Sequence, residues 1–145
     1  MFESILIGDD GTPEAERAVN TALALGRAFK AQVIVLGVVR PPSAEAQAEG
    51  YGLDRSAKAR ATLERKFADL MQTGGAEGIS LVTEIIEGNP EEIIEREAEK
   101  RAADLIVVGH RDVNRVRRWL EGSTSEDLFK DSKVSVLVVR SEREP

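Results

Sequence analysis

Two clusters in this chain combine residue types and spacings that could do chemistry. The first is Asp9-Asp10-Gly11-Thr12, directly after the apolar run Ile5-Leu6-Ile7. Adjacent carboxylates at a strand end can hold Mg²⁺, as in a phosphoacceptor receiver site. That chemistry also needs an aspartate after the third strand and a lysine after the fifth, where this chain has Glu87 or Gly88 and Arg140. The receiver pattern does not fit. A single aspartate here can instead accept hydrogen bonds from a base amino group or a sugar hydroxyl, or simply start the turn and support the next helix. The second cluster is Gly109-His110-Arg111-Asp112, followed after the stretch Val113 to Glu121 by Gly122-Ser123-Thr124. Glycines between a strand and a helix let backbone N–H groups close on a phosphate, and hydroxyls add donors. The plainer alternative makes Gly122 a turn residue and Ser123 a helix cap. The residues alone leave both open.

Charge gathers in the same loop. Arg111, Arg115, Arg117 and Arg118 stand beside only Asp112 and Glu121. They suit a phosphate clamp or an anionic partner site, or, more plainly, a solvated face that pairs with acids elsewhere. His110 has no nucleophile or acid partner that the sequence can name, and reads as a loop polar residue. Trp119 and Leu120 read as anchors for the loop. Tyr51 either folds over a bound base or does nothing, and the sequence does not choose.

Composition removes several function classes. The chain has 145 residues, no cysteine and one histidine, so thiolate chemistry and Cys- or multi-His metal sites are out. Twenty basic residues against 26 acidic ones give a net charge of −6, which argues against a general nucleic-acid binder. No apolar run is long enough to insert in a membrane. Met1-Phe2-Glu3-Ser4 does not read as a signal peptide, so a cytoplasmic address is the expectation. No Gly-Lys-Ser, His-x-Gly-His or Ser-Gly-Gly-x-Asp-Ser segment is present, and no activated nucleophile is visible. Enzymatic activity is therefore the weakest expectation, at most a slow nucleotide hydrolysis.

The elements that must position these clusters alternate regularly. Strands are expected at Phe2–Gly8, Val33–Val39, Leu81–Ile86, Leu105–Val108 and Val134–Val139. Thr12-Pro13-Glu14 opens a helix as cap, first-turn proline and first-turn acid, with a stripe of Ala15, Ala18, Val19, Ala22, Gly26 and Phe29. A second helix is expected over Asp54–Thr73, with Leu63, Phe67, Leu70 and Met71 inward and Gly74-Gly75 as its stop. Asn89-Pro90-Glu91-Glu92 starts a third, which ends near Ala102, and Ser123-Thr124-Ser125-Glu126 is a capping box for a short fourth, to about Asp131. Arg40 to Leu53 reads as a long mobile connection with weak helical character at Ala44–Glu49. The order β-α-β-α-β-α-β-α-β predicts one three-layer α/β domain over residues 1–145, a parallel sheet covered by helices on both faces. Ligands in such sheets sit beyond the carboxyl ends of the strands, which selects Gly8–Thr12, Val38–Pro42, Glu87–Gly88 and Gly109–Ser123. The last strand is apolar with few gatekeepers, and pairing it across a two-fold axis would cover its edge, which predicts a homodimer through Val134–Val139.

With these segments in view, the chain resembles the universal stress protein family. Ile5-Leu6-Ile7-Gly8-Asp9-Asp10-Gly11-Thr12 is similar to its first strand and Asp-Gly-Ser turn, and Val33–Val39 to its second strand. Asp104-Leu105-Ile106-Val107-Val108-Gly109 is close to its fourth strand, and Gly122-Ser123-Thr124-Ser125-Glu126 with Val136-Leu137-Val138-Val139 resembles its closing helix and strand. The resemblance implies a five-stranded sheet of order 3-2-1-4-5 and a homodimer through the last strand. It also implies that the chain is a stress-response sensor of an adenine nucleotide, ATP or AMP, with Mg²⁺ as an optional companion. Carried over by position, Asp10 and Val38 lie against the base, and Gly109, Gly122 and Ser123 lie along ribose and phosphates. Thr12 and Thr124 are weaker members of the same set, and Arg111 joins the candidate nucleotide-binding residues from the phosphate-clamp reading of the basic loop. The chain departs from the nucleotide-binding pattern at Asp112, which stands where binders carry a second glycine, and at Ser135, where the family often has proline. A carboxylate at 112 repels phosphate, by about 4 kcal/mol per unit-charge pair at roughly 4 Å and an effective dielectric near 20. The alternative is a dimeric interaction module of the same fold with an impaired pocket.

Overall fold

The computed structural model describes residues 1–50, 52–112, 114, 117, 118 and 134–140. Five strands, β1 (Ser4–Asp9), β2 (Gln32–Val39), β3 (Ser80–Glu87), β4 (Leu105–Gly109) and β5 (Ser135–Val139), form one sheet in the order β3-β2-β1-β4-β5. All pairings are parallel, with Ile5 beside Val33 and Leu105, and Leu105 beside Ser135. Parallel pairing requires crossovers, and four described helices occupy them: α1 (Pro13–Phe29), α2 (Ala44–Ala48), α3 (Leu53–Ala76) and α4 (Pro90–Lys100). The expected helix at 123–131, like Tyr51, Arg115, Trp119 and Leu120, lies outside the described residues.

The central strands are apolar throughout because both of their faces are buried. Ile5, Ile7, Val33, Val35, Leu105 and Val107 pack with Ala18, Val19 and Ala22 of α1 and with Leu63 and Phe67 of α3. On the opposite face Leu6, Ile34, Leu36, Ile106 and Val108 pack with Ile93, Ile94 and Ala98 of α4. Gly26 lets α1 approach β2, since a Cβ there would stand 2.3 Å from Val33 Cγ2. Phe29 ends the α1 stripe exposed, yet meets Phe2 edge-to-face at 5.5 Å.

Helix starts follow the side-chain chemistry. The Thr12 hydroxyl accepts from the Ala15 N–H at 3.3 Å, with Pro13 behind it. The Asn89 side-chain Oδ1 accepts from the N–H groups of Glu91 and Glu92 at 2.9 and 3.3 Å. Helix ends differ more from expectation. Gly74 and Gly75 do not stop α3, which runs on to Ala76 and is closed by Glu77 and by Gly78 at φ +76°. Gly74 is a contact residue instead, because a Cβ there would press on Leu81 Cδ2 at 3.0 Å. Met71 is exposed, and the inward stripe of α3 is Leu63, Phe67, Leu70 and Gly74. α4 ends at Lys100, with Ala102 at φ +52° turning the chain toward β4.

The segment Arg40–Leu53 is more structured than an irregular connection. Ser43 caps α2 through the Ala46 N–H at 3.0 Å, and Gln47 Nε2 donates to the Pro42 carbonyl at 3.0 Å. Gly52, at φ +93°, passes so close to Pro42 that a Cβ would meet its ring at 2.6 Å. The segment thereby closes on itself, and Pro42, Ser43, Ala46 and Gly52 line one cavity with residues at the ends of β1 and β2.

Candidate functional site

The chain runs outward from β1 in both directions, so the sheet order reverses between β1 and β4. Helices leave opposite faces at such a point and a crevice opens at the carboxyl ends of the strands. A cavity of about 760 Å³ lies there, lined among others by Gly8, Asp10, Thr12, Val38, Gly109 and Asp112. That volume is in the range of small-molecule and cofactor sites. Asp10, Thr12, Val38 and Gly109, which the sequence selected from distant segments, are thus brought together. Arg111 lies in the 3-10 turn His110–Asp112 that continues β4. Gly122, Ser123 and Thr124 lie outside the described residues.

The two aspartates have separate tasks. Asp10 is exposed, and its Oδ1 accepts from the Thr12 N–H at 2.9 Å and from Thr12 Oγ1 at 2.6 Å. Thr12 is therefore held at both ends, since the same hydroxyl caps α1. Asp9 points into the other layer and is 1% exposed. Its Oδ1 accepts from the Gly11 N–H at 2.8 Å, and its Oδ2 is 2.9 Å from Lys66 Nζ of α3. The latter contact is an ion pair without good hydrogen-bond alignment. Both acids serve the turn, as expected for a strand-end carboxylate, and Asp9 also joins α3 to β1.

Around them the cavity takes its shape from small and apolar residues. Val38, 8% exposed, gives an apolar wall suited to a planar base. Gly8 is glycine for packing, as a Cβ would strike Ile94 Cδ1 at 2.7 Å. Gly109 is different. Among the described residues a Cβ there would meet only the Glu14 carbonyl oxygen, at an ordinary 3.9 Å. Asp112, half-buried, lines the cavity beyond it. Arg118 of the basic segment is turned to α4, where it grips Glu91 in a two-pronged contact of 3.0 and 2.6 Å. Hydrogen bonding to Glu91 raises its already high pKa further, so it stays cationic.

Sequence reasoning missed Lys66, Arg55 and Ser56, and took in Arg40 only as part of the span Val38–Pro42. Arg40 sits just past β2, where position alone marks it as informative. The others come from α3, and nothing in its pattern says that its start overhangs the strand ends. Among the described residues no group of three or more His, Asp or Glu side chains is placed to hold a metal ion. No described helix is long and apolar enough to cross a membrane.

An open parallel sheet of order 3-2-1-4-5, with its cavity at the reversal point, defines a doubly wound α/β domain. Within that class the chain belongs to the universal stress protein family, whose model matches residues 1–140. A Staphylococcus haemolyticus protein named for this family is 30% identical over 146 residues, covering 99% of this chain and 88% of its own. A universal stress protein solved in complex with cAMP superposes with a TM-score of 0.64 at 25% identity, covering 95% of this chain and 97% of its own. The universal stress protein of Archaeoglobus fulgidus in complex with dAMP gives a TM-score of 0.60 at 17% identity, with coverage of 95% and 97%.

Proposed function

We propose that this chain binds an adenine nucleotide in the cavity between the ends of β1 and β4 and acts as a nucleotide-responsive regulatory module in a stress response. The observation that carries the reading is the cavity itself. It sits at the reversal of strand order and gathers an apolar wall at Val38, a carboxylate at Asp10 and an unencumbered Gly109. These suit a purine face, a hydroxyl or amino donor and a close sugar-phosphate backbone, in that order. Solved relatives with cAMP and dAMP point to the same ligand class. Mg²⁺, if it enters, arrives on the phosphates, since such ions keep most of their water and few protein ligands. No nucleophile is required of a module that works by binding.

A specific observation favours a second reading. Asp112 lines the cavity where nucleotide-binding members of the family carry glycine, and its charge opposes a polyphosphate. The chain would then act as an interaction module with a silent pocket. Calorimetric titration of the wild type and Asp112→Gly with AMP, ATP and cyclic AMP, with and without Mg²⁺, separates the two. Micromolar binding by the wild type is expected. Silence in the wild type with binding gained in Asp112→Gly establishes the second reading, and silence in both rejects nucleotide binding.

A further inference from the structure

The connection from β2 to α3 has the build of a movable part. Its ends, Pro42 and Gly52, nearly touch, since a Cβ on Gly52 would lie 2.6 Å from Pro42 Cβ. Chain that leaves and returns to one point in this way is an Ω-loop, a compact unit packed by its own side chains. The hydrogen bonds of this loop are its own. The Gln47 N–H donates to the Ser43 carbonyl at 2.9 Å, and the Glu49 and Gly50 N–H groups donate to the Glu45 and Gln47 carbonyls at 3.1 Å each. With the side-chain bonds of Ser43 and Gln47, every hydrogen bond of residues 41–50 stays within 42–50 among the described residues. α2 itself buries no residue. The two stems differ in stiffness. Pro41 and Pro42 make one, with φ fixed and no N–H to bond. Gly50 and Gly52 make the other, at φ +80° and +93°. A Cβ on Gly50 would meet nothing within 4 Å, so that glycine has both the freedom and the room to absorb a rotation.

One side of the loop is different. Of residues 41–50 only Pro42 and Ala46 are half-buried, and both line the cavity. That inner side is apolar and uncharged, while Glu45 and Glu49 are exposed. The loop also springs from the apolar wall suited to a base, because Pro41 follows Val38 by three residues. We propose that residues 41–52 are a lid, which closes Pro42 and Ala46 onto the nucleoside end of the bound ligand and holds it there. Closing removes apolar ligand surface from water and leaves the phosphates at the Gly109 side, which the uncharged face of the lid does not engage. The inference rests on the nucleotide reading for the occupant, and on the construction of the loop alone for the motion.

Hydrogen exchange and cleavage by a glutamate-specific protease test the lid on the intact chain. Without ligand, the amides of Gln47, Glu49 and Gly50 should exchange about a hundredfold faster than global unfolding allows, because the loop opens by itself. Cleavage after Glu45 and Glu49 should follow the same opening. Saturating adenosine or AMP should slow both by about fivefold or more, and pyrophosphate should slow neither. A variant with residues 43–51 replaced by two glycines, which the closeness of Pro42 and Gly52 permits, should keep the wild-type thermal unfolding midpoint. Its affinity for AMP in calorimetry should fall about tenfold. Binding of adenosine or AMP with unchanged exchange and cleavage overturns the lid and leaves the nucleotide reading standing. A folded loop-excised variant that binds AMP as tightly as wild type does the same. Loop amides that exchange only on global unfolding overturn the lid before any ligand is added. A loop that opens in a wild type binding neither adenosine nor AMP rejects the nucleotide reading, and the lid with it.

Discussion

Gly109 concentrates the residue-scale argument. Among the described residues its neighbours leave room for a methyl group, with the Glu14 carbonyl 3.9 Å away as the nearest atom, so packing against them does not explain the glycine. On the proposed nucleotide reading, a ligand backbone passing close to the chain would. Gly109→Ala is expected to leave the free energy of unfolding within about 0.5 kcal/mol of wild type, as for a substitution free of strain. Nucleotide affinity should fall about tenfold, a change worth about 1.4 kcal/mol. Equal affinity in calorimetry would return Gly109 to a purely structural role. Asp10 and Thr12, in contrast, already satisfy each other, so a ligand that uses Asp10 must do so through Oδ2.

At the scale of elements, the Asp9–Lys66 pair ties α3 to the end of β1. The Asp9 side chain is fully enclosed, while Lys66 keeps 24% of its side chain exposed. Removing one partner of a buried pair strands the other charge, at a cost of about 3–5 kcal/mol. Lys66→Met should therefore lose about 3 kcal/mol, the low end, because the lysine is partly solvated. Urea unfolding measures it. Asp9→Asn combined with Lys66→Met should recover most of the loss, since asparagine keeps an acceptor for the Gly11 N–H and carries no charge. A double variant as unstable as Lys66→Met would show that packing, not charge, dominates there. A second tie has the same logic at the other end of the sheet. The Asp104 carboxylate accepts from the Glu3 and Ser4 N–H groups at 2.8 and 3.1 Å, fixing β1 against β4 from outside the ladder.

At the scale of the whole molecule, the sheet ends in two unlike edges. β3 carries Glu84 and Glu87, tied to Arg101 and Arg60. Charges of that kind blunt an edge. β5 is Ser-Val-Leu-Val-Val with no charge, and Leu137 is 37% exposed. Among the described residues β5 pairs with β4 and with no other strand. A second copy is the economical cover, by symmetry. Light scattering at micromolar concentration is expected to give twice the chain mass of 15.8 kDa, and Leu137→Lys to return it to one chain. A wild-type monomer would reject pairing through β5.

The sequence by itself determined the alternation of elements, the burial of β1, β2 and β4 on both faces, and the caps at Thr12 and Asn89. These depend on residues near one another in the chain, where periodicity and side-chain to backbone hydrogen bonds act locally. It also put Asp10, Thr12, Val38 and Gly109 at or just past strand ends, because a strand's carboxyl end can be read from its own pattern, and the four line one cavity. Only the tertiary structure decided that Gly74 packs instead of stopping a helix, that Asp9 is buried against Lys66, and that Arg40 and Arg55 share a cavity wall with Ser56 between them. Each depends on which residue of α3 lies over which strand end. That placement is fixed by how Leu63 and Phe67 seat on the sheet, and a helix's own hydrophobic stripe leaves its axial position along its partner undetermined.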